Sequence, residues 1–294
     1  MKYTHDSNDI TRQYFDSILL ETRYIGTDLP STKIELYGET FDTPITTAAL
    51  SHLHDICENG MEEFARGAKD AKAMHMVGMG EDDELEGILN VYNKTAKFIK
   101  PHENDDVVYQ KIEHAQSHGA FAVGMDIDHC LGSKGTYDVV LGLPMKTKSL
   151  DQMKDFVKAS KVPFIVKGVL SVQDAVRSVE AGAQGIIVSH HHGIMNYAVP
   201  PLMILPEIVK AVDGQLKIFV DCGIESGMDV FKALALGADA VCVGRDLMGP
   251  LKQGGKGVTD RINELNLELM SIMARTGAKS LDEIDPSVVH FRNF

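Results

Sequence analysis

Short apolar runs punctuate the chain from Pro44 onward: PITTAA (44–49), AMHMVG (73–78), AKFIK (96–100), AFAVGMDI (120–127), VPFIVKG (162–168), GIIVS (185–189), KIFVD (217–221) and AVCVG (240–244). Between them, apolar residues return at helical spacing. In LSVQDAVRSVEAGAQG, Val172, Ala175, Val176 and Val179 share one stripe and Gly182 closes it; in SGMDVFKALALGADA, Phe231, Leu234, Ala235 and Ala238 do the same, with Gly237 as the stop. The runs are rich in Val and Ile and apolar on both faces, as parallel strands covered by helices must be. Eight strand–helix units in succession predict a (β/α)8 barrel. The barrel is expected over residues 44–294, ending in a long helix that begins KGVTDRINELNLELM. Residues 1–43 are expected as a helix, over DITRQYFDSILLET, and a cover segment.

In such barrels the chemistry collects at the C-terminal ends of the strands. The polar residues that close each apolar run are therefore the candidates: Asp126 and Asp128, Lys167, Ser189 with His190, His191 and His192, Asp221, and Gly244 with Arg245. The segment FVDCGIESGMDVFKALALGADAVCVGRDLM is the most specific of these signals. A strand ends in Asp221, a turn holds Gly223 and Gly227, and the next strand ends in Gly244-Arg245. Glycines let backbone N–H groups approach an anion, and an arginine adds a bidentate contact. Loops after the seventh and eighth strands commonly bind phosphate in this fold.

Composition narrows the partners. A net charge of −13 repels phosphate backbones, which argues against nucleic acid. No run approaches the roughly 20 consecutive apolar residues of a membrane span, and MKYTHDSNDITRQYFDS lacks a signal peptide's pattern. The cysteines Cys57, Cys130, Cys222 and Cys242 lie far apart with no CxxC pairing, so neither a zinc site nor a disulfide framework is expected, and a reducing cytoplasm is the expected compartment.

VPFIVKGVLSVQDAVRSVEAGAQGIIVSHHHG, followed by VDCGIESGMDVFKALALGADAVCVGRDL, resembles the FMN-dependent α-hydroxy acid oxidases and dehydrogenases, flavin barrels that oxidise glycolate, lactate and mandelate. RYIGTDLPSTKIELYGETFDTPITTAAL carries a weaker trace of the same family. The resemblance implies FMN as cofactor, an oxidoreductase acting on a CH–OH group, and a homo-oligomer, with a tetramer expected. It implies His191 as the catalytic base and Lys167 as the cation beside the flavin ring. It further implies Ala48, Ala49, Lys167, Ser189, Asp221, Gly223, Gly244 and Arg245 as cofactor contacts.

The departures bear on the substrate. Where the family places an arginine that grips the substrate carboxylate, this chain has Ile194, and where its phosphate loop has an arginine, this chain has Glu225. Lys100 and His192 are the remaining substrate candidates, and the substrate need not be a simple 2-hydroxy acid. Rival readings are a phosphate-binding isomerase or aldolase barrel without redox chemistry, and a flavin-binding protein that has lost turnover. For the three histidines the competing roles are His191 as base (with His192 in reserve), structural loop residues, and a metal set. In the metal reading His190 and His192 converge on an extended segment; no metal is expected. His52, His54 and Asp55 read as structural, with Asp55 capping a helix.

Overall fold

The computed structural model describes residues 4–292. Eight parallel strands build the central sheet: β1 (Ile45–Thr47), β2 (His75–Val77), β3 (Thr95–Ile99), β4 (Ala122–Asp126), β5 (Phe164–Val169), β6 (Gly185–Val188), β7 (Lys217–Val220) and β8 (Ala240–Val243). They follow one another around the sheet, and β8 pairs with β1. Between β1 and β2 the ladder is thin because Thr47 spends its hydroxyl there, accepting from Met76 N at 2.9 Å. A parallel bridge between Leu50 and Val77 and the bond from Gly78 N to Leu50 O, 2.8 Å, close the barrel. Each of the eight expected runs holds one strand, so the (β/α)8 reading stands.

Ten helices are described: α1 (Ser7–Ser17), α2 (Gly60–Asp70), α3 (Asp82–Val91), α4 (Asp105–Ser117), α5 (Leu150–Ala159), α6 (Val172–Glu180), α7 (Pro201–Val212), α8 (Gly227–Ala235), α9 (Arg245–Met248) and α10 (Gly254–Thr276). Their apolar stripes and the outer faces of the strands make the larger core; Phe64, Phe156, Phe164 and Phe231 are wholly buried in it. A smaller core fills the barrel, from Met74, Met76, Phe98, Ile165, Ile187 and Phe219. Its lower mouth is plugged by a hairpin, Ile34–Leu36 with Glu39–Phe41, whose Leu36 and Phe41 join that inner core.

The N-terminal helix is shorter than its apolar pattern suggests. Asp6 caps it by accepting from Asn8 N, and it stops at Ser17. Ile18–Leu20 then pairs antiparallel with Val289–Phe291, so a distant strand overrides the local helical period. The expected cap at Asp55 is also replaced: Leu53–Asp55 is a 3-10 turn, Asn59 precedes α2, and His54 Nε2 lies 2.6 Å from Glu84 Oε1.

Candidate active site

Side chains alternate across a strand, so within each strand one parity points into the barrel. Phe98, Ala122, Ile165, Ile187, Phe219, Ala240 and Cys242 belong to the inner core. The same parity carried upward delivers Lys100, Asp126, Lys167, Ser189, Asp221 and Gly244 to the upper mouth. Gly124 shows how tight the barrel is just below, since a Cβ there would stand 2.7 Å from the Phe98 ring. The mouth opens into a cavity of about 360 Å3, lined by Ala48, Ala49, Lys167, His191, Asp221, Gly223, Gly244 and Arg245 among others. α1 forms its outer wall with Asn8, Thr11 and Arg12.

At the floor a charged cluster surrounds His191. Asp126 is buried and accepts from Lys167 Nζ at 2.9 Å and from Lys100 Nζ at 2.5 Å. His191 Nδ1 lies 2.9 Å from Asp128 Oδ1, 3.3 Å from Asp126 Oδ1 and 3.1 Å from Lys167 Nζ. Its other ring nitrogen, Nε2, stands 3.1 Å from His129 Nε2. Burial works to raise the Asp126 carboxyl, but the Lys167 charge, the His191 hydrogen bond and Lys100 hold it well below the usual range. Asp128, buried and beside Asp126, is pushed up. Burial opposes a charge on His191, yet hydrogen bonds to Asp126 and Asp128 prevail and lift it to about 9. Lys167 is likewise held charged, because Asp126, Asp128 and Asp221 outweigh its burial. His129 moves the opposite way, lowered by burial and by Lys100. The pair therefore holds its proton on His191, and the neutral His129 accepts.

Asp126, His129 and His191 stand close enough to hold a metal ion. The Lys167 ammonium is already among them, within 3.1 Å of both Asp126 and His191, and supplies the positive charge such an ion would bring.

The three consecutive histidines separate because the chain turns there. His191 and His192 take φ of +48° and +56°, and Gly193 follows at +78°, so the segment is a left-handed turn rather than the extended run that would converge His190 and His192. His190 is buried, with Nε2 2.8 Å from Thr11 Oγ1 and Nδ1 accepting from Gly193 N at 2.9 Å. His192 faces α1 as well but is exposed: Nδ1 lies 2.5 Å from Asn8 Oδ1, and Nε2 accepts from Arg245. Burial and Arg245 lower His192, in keeping with a neutral ring that steadies the guanidinium. Both His191 and His192 line the cavity, and of the three histidines His191 is the one that reaches the charged cluster at its floor.

The other expected contacts divide. Ser189 is buried beneath the cavity, where its Oγ accepts from His191 N at 2.9 Å and so supports the turn. Lys100 is turned to Asp126. Ile194 is 45% exposed and stands outside the cavity lining. Glu225 does line the cavity, but its N–H is taken by Asp229 Oδ2 at 3.2 Å. Asp229 also binds Arg12, and Glu268 takes Gly227 N, so carboxylates already serve the N-terminus of α8.

The donor set nevertheless suits a phosphorylated, ring-bearing cofactor. Arg245 pairs with neutral His192 and with no carboxylate among the described residues, so its charge is available to a phosphate. Gly223, φ +83°, lets the β7 loop turn sharply at that end; a Cβ would meet Thr11 Cγ2 at 3.2 Å. Ala48 and Ala49 leave the β1 wall low enough for a flat ring, and Lys167 faces it. Arg245→Ala is expected to weaken FMN binding at least about tenfold, as loss of a charge-assisted pair does. Fluorescence titration checks it, and unchanged affinity would remove the phosphate assignment.

An arginine without a carboxylate partner among the described residues, a buried lysine and a carboxylate-paired imidazole at one barrel mouth are compatible with a flavin oxidoreductase. The family model of the FMN-dependent dehydrogenases matches residues 2–156 and 145–291, and the chain belongs to that family, with FMN as its cofactor. The L-lactate oxidase of Lactobacillus jensenii is 31% identical over 300 residues, covering 91% of this chain and 73% of that protein. A 2-hydroxyacid oxidase of Dictyostelium discoideum is 29% identical, covering 90% of this chain and 76% of that protein. Crystalline mandelate oxidase superposes with a TM-score of 0.90 at 26% identity, over 99% of this chain and 92% of that one. These relatives are oxidases, which leaves the non-redox barrel and the inactive flavoprotein without support. Among the described residues no helix is long and apolar enough to cross a membrane.

His129 escaped the sequence reading. The signal was present, since DIDH closes the fourth apolar run, but a single histidine beyond two aspartates carries no spacing that separates a site residue from a loop residue.

Proposed function

We propose that this chain oxidises a small 2-hydroxy acid, with His191 as base and Lys167 beside the flavin ring. The observation that carries the reading is His191 held between two carboxylates at the cavity floor, 3.3 Å from Asp126 and 2.9 Å from Asp128. A base needs a resting lone pair and a stabilised protonated form. At His191 Nδ1 is held by the aspartates, so Nε2, which stands 3.1 Å from His129 Nε2, is the position that takes a proton once the ring is deprotonated. Once Nε2 takes the substrate's proton, Asp126 and Asp128 stabilise the imidazolium, and His129 accepts from Nε2. FMN supplies the acceptor for the two electrons that leave the substrate's C–H bond. The Lys167 ammonium, kept charged by Asp126, favours negative charge on the reduced ring.

The carboxylate of the substrate cannot meet an arginine at Ile194. The cation that serves it in this proposal is Lys100, a substrate candidate on sequence grounds. Lys100 is already engaged by Asp126, so discrimination is expected to be shallow: replacing the carboxylate by an amide should raise KM about 3–10-fold, at most about 1.4 kcal/mol and below the 2–5 kcal/mol of a fully desolvated charge pair. Steady-state turnover on matched acid and amide substrates reads this. An amide that turns over as well as its acid would overturn the hydroxy-acid assignment.

The proposal includes a reducing cytoplasm, in keeping with four free cysteines, and assembly of several copies. The exposed run Ile194, Met195, Tyr197 and Val199 supports the second part.

A further inference from the structure

On the barrel's outer face, away from the mouth, a second group of imidazoles stands between α3 and α4. His114 lies in the last turn of α4 and His118 caps its C-terminus, four residues on and therefore on the same face. Glu86 comes from the neighbouring α3. Its Oε1 is 3.1 Å from His114 Nε2 and 3.5 Å from His118 Nε2. Two ligands on a tetrahedral ion are separated by about 1.6 times the bond length, so zinc–nitrogen bonds of about 2.0–2.1 Å place them about 3.3–3.4 Å apart. The two observed distances straddle that value.

The outer contacts point the same way. His118 Nδ1 donates to His114 O at 2.8 Å, the backbone hydrogen bond that fixes a ligating imidazole's tautomer and leaves Nε2 with its lone pair. His114 Nδ1 faces Asp82 Oδ1 at 3.9 Å, and Asp82 is in turn held by Lys111 at 3.3 Å. With Nδ1 donating to His114 O, the His118 Nε2 position facing the Glu86 oxygen at 3.5 Å takes either a proton or a metal cation, and titration with Co2+ separates the two. The C-terminal end of α4 adds the negative end of its dipole.

We propose that Glu86, His114 and His118 form a binding site for a divalent transition-metal ion of the zinc class, with water in the fourth position. Two nitrogens and one carboxylate oxygen suit Zn2+, Co2+ or Ni2+ and do not suit Mg2+ or Ca2+, which take oxygen ligands. The site lies on the outer face between α3 and α4, and none of its three residues lines the FMN cavity, so it acts on the fold or on a surface partner rather than on the oxidation. The proposal does not depend on the substrate assigned above.

The test uses the untagged, FMN-loaded full chain titrated with CoCl2 and read by the visible bands of tetrahedral Co2+. One ion per chain is expected, displaced by ZnCl2. His118→Ala should weaken binding at least as much as the about 10–100-fold that loss of an outer contact costs, with turnover unchanged. Glu86→Gln, at a half-exposed position, repeats the test should His118→Ala fail to fold. Absence of tetrahedral bands at micromolar Co2+ would overturn the proposal. So would uptake that persists in His118→Ala and disappears in His129→Ala, which would move the ion to the barrel mouth.

Discussion

His191→Ala is expected to slow substrate-driven reduction of the bound flavin by about 10²–10⁴-fold, the usual worth of a positioned general base. Cofactor occupancy should survive the change. The contacts proposed at the phosphate end, Gly223, Gly244 and Arg245, take nothing from the His191 side chain, and Lys167, although 3.1 Å from His191 Nδ1, keeps its bond to Asp126. A variant that kept its flavin and still reduced it at the parent rate would remove His191 from the chemistry. Loss of flavin together with activity would instead show that the imidazole holds the cofactor in place.

The second large effect belongs to Asp126→Asn. Asp126 is 6% exposed and sits between two ammonium groups and the His191 ring. The amide removes the charge and leaves Lys100 and Lys167 buried without their partner. Breaking a buried pair in this way costs about 3–5 kcal/mol, read as a lower urea midpoint. The pH dependence follows from the same contact. The folded-state value of His191, about 9, lies above its ordinary 6.5, so its contribution to stability is complete below pH 6.5 and is lost as the pH rises through about 9. Asp126 is depressed, so its contribution is present above 3.8 and is lost only as the pH falls through its lower folded value. For catalysis the deprotonated imidazole is required, and kcat/KM should rise with pH through an apparent value near 9 that belongs to the coupled cluster. In Asp126→Asn that rising limb moves to lower pH. An unchanged midpoint together with an unchanged limb would contradict the charge cluster.

Where the strands lie was readable because each is apolar on both faces and bounded by glycines or polar residues, a pattern that helices of this barrel do not share. Lys167, His191, Asp221 and Arg245 could be singled out as residues of the barrel mouth because they close apolar runs, and all four line the cavity there. Other features depend on contacts that no local pattern encodes. Ile18–Leu20 continues the helical period of α1 and becomes a strand only because Val289–Phe291 comes alongside. The left-handed turn at His191 and His192 has no glycine at either position to announce it; Ser189, two residues earlier, and Thr11, which reaches His190 from the distant α1, hold it. α1 was expected as cover, yet its Asn8 and Thr11 orient two of the three histidines, which only the packed fold reveals.

Anaerobic mixing of the FMN-loaded protein with a 2-hydroxy acid series, followed at the flavin's visible band, tests the central claim most directly. The account predicts bleaching with at least one member of the series, and none on the same timescale in flavin-loaded His191→Ala. Persistence of the oxidised band across the whole series, or equal bleaching in both proteins, would contradict it.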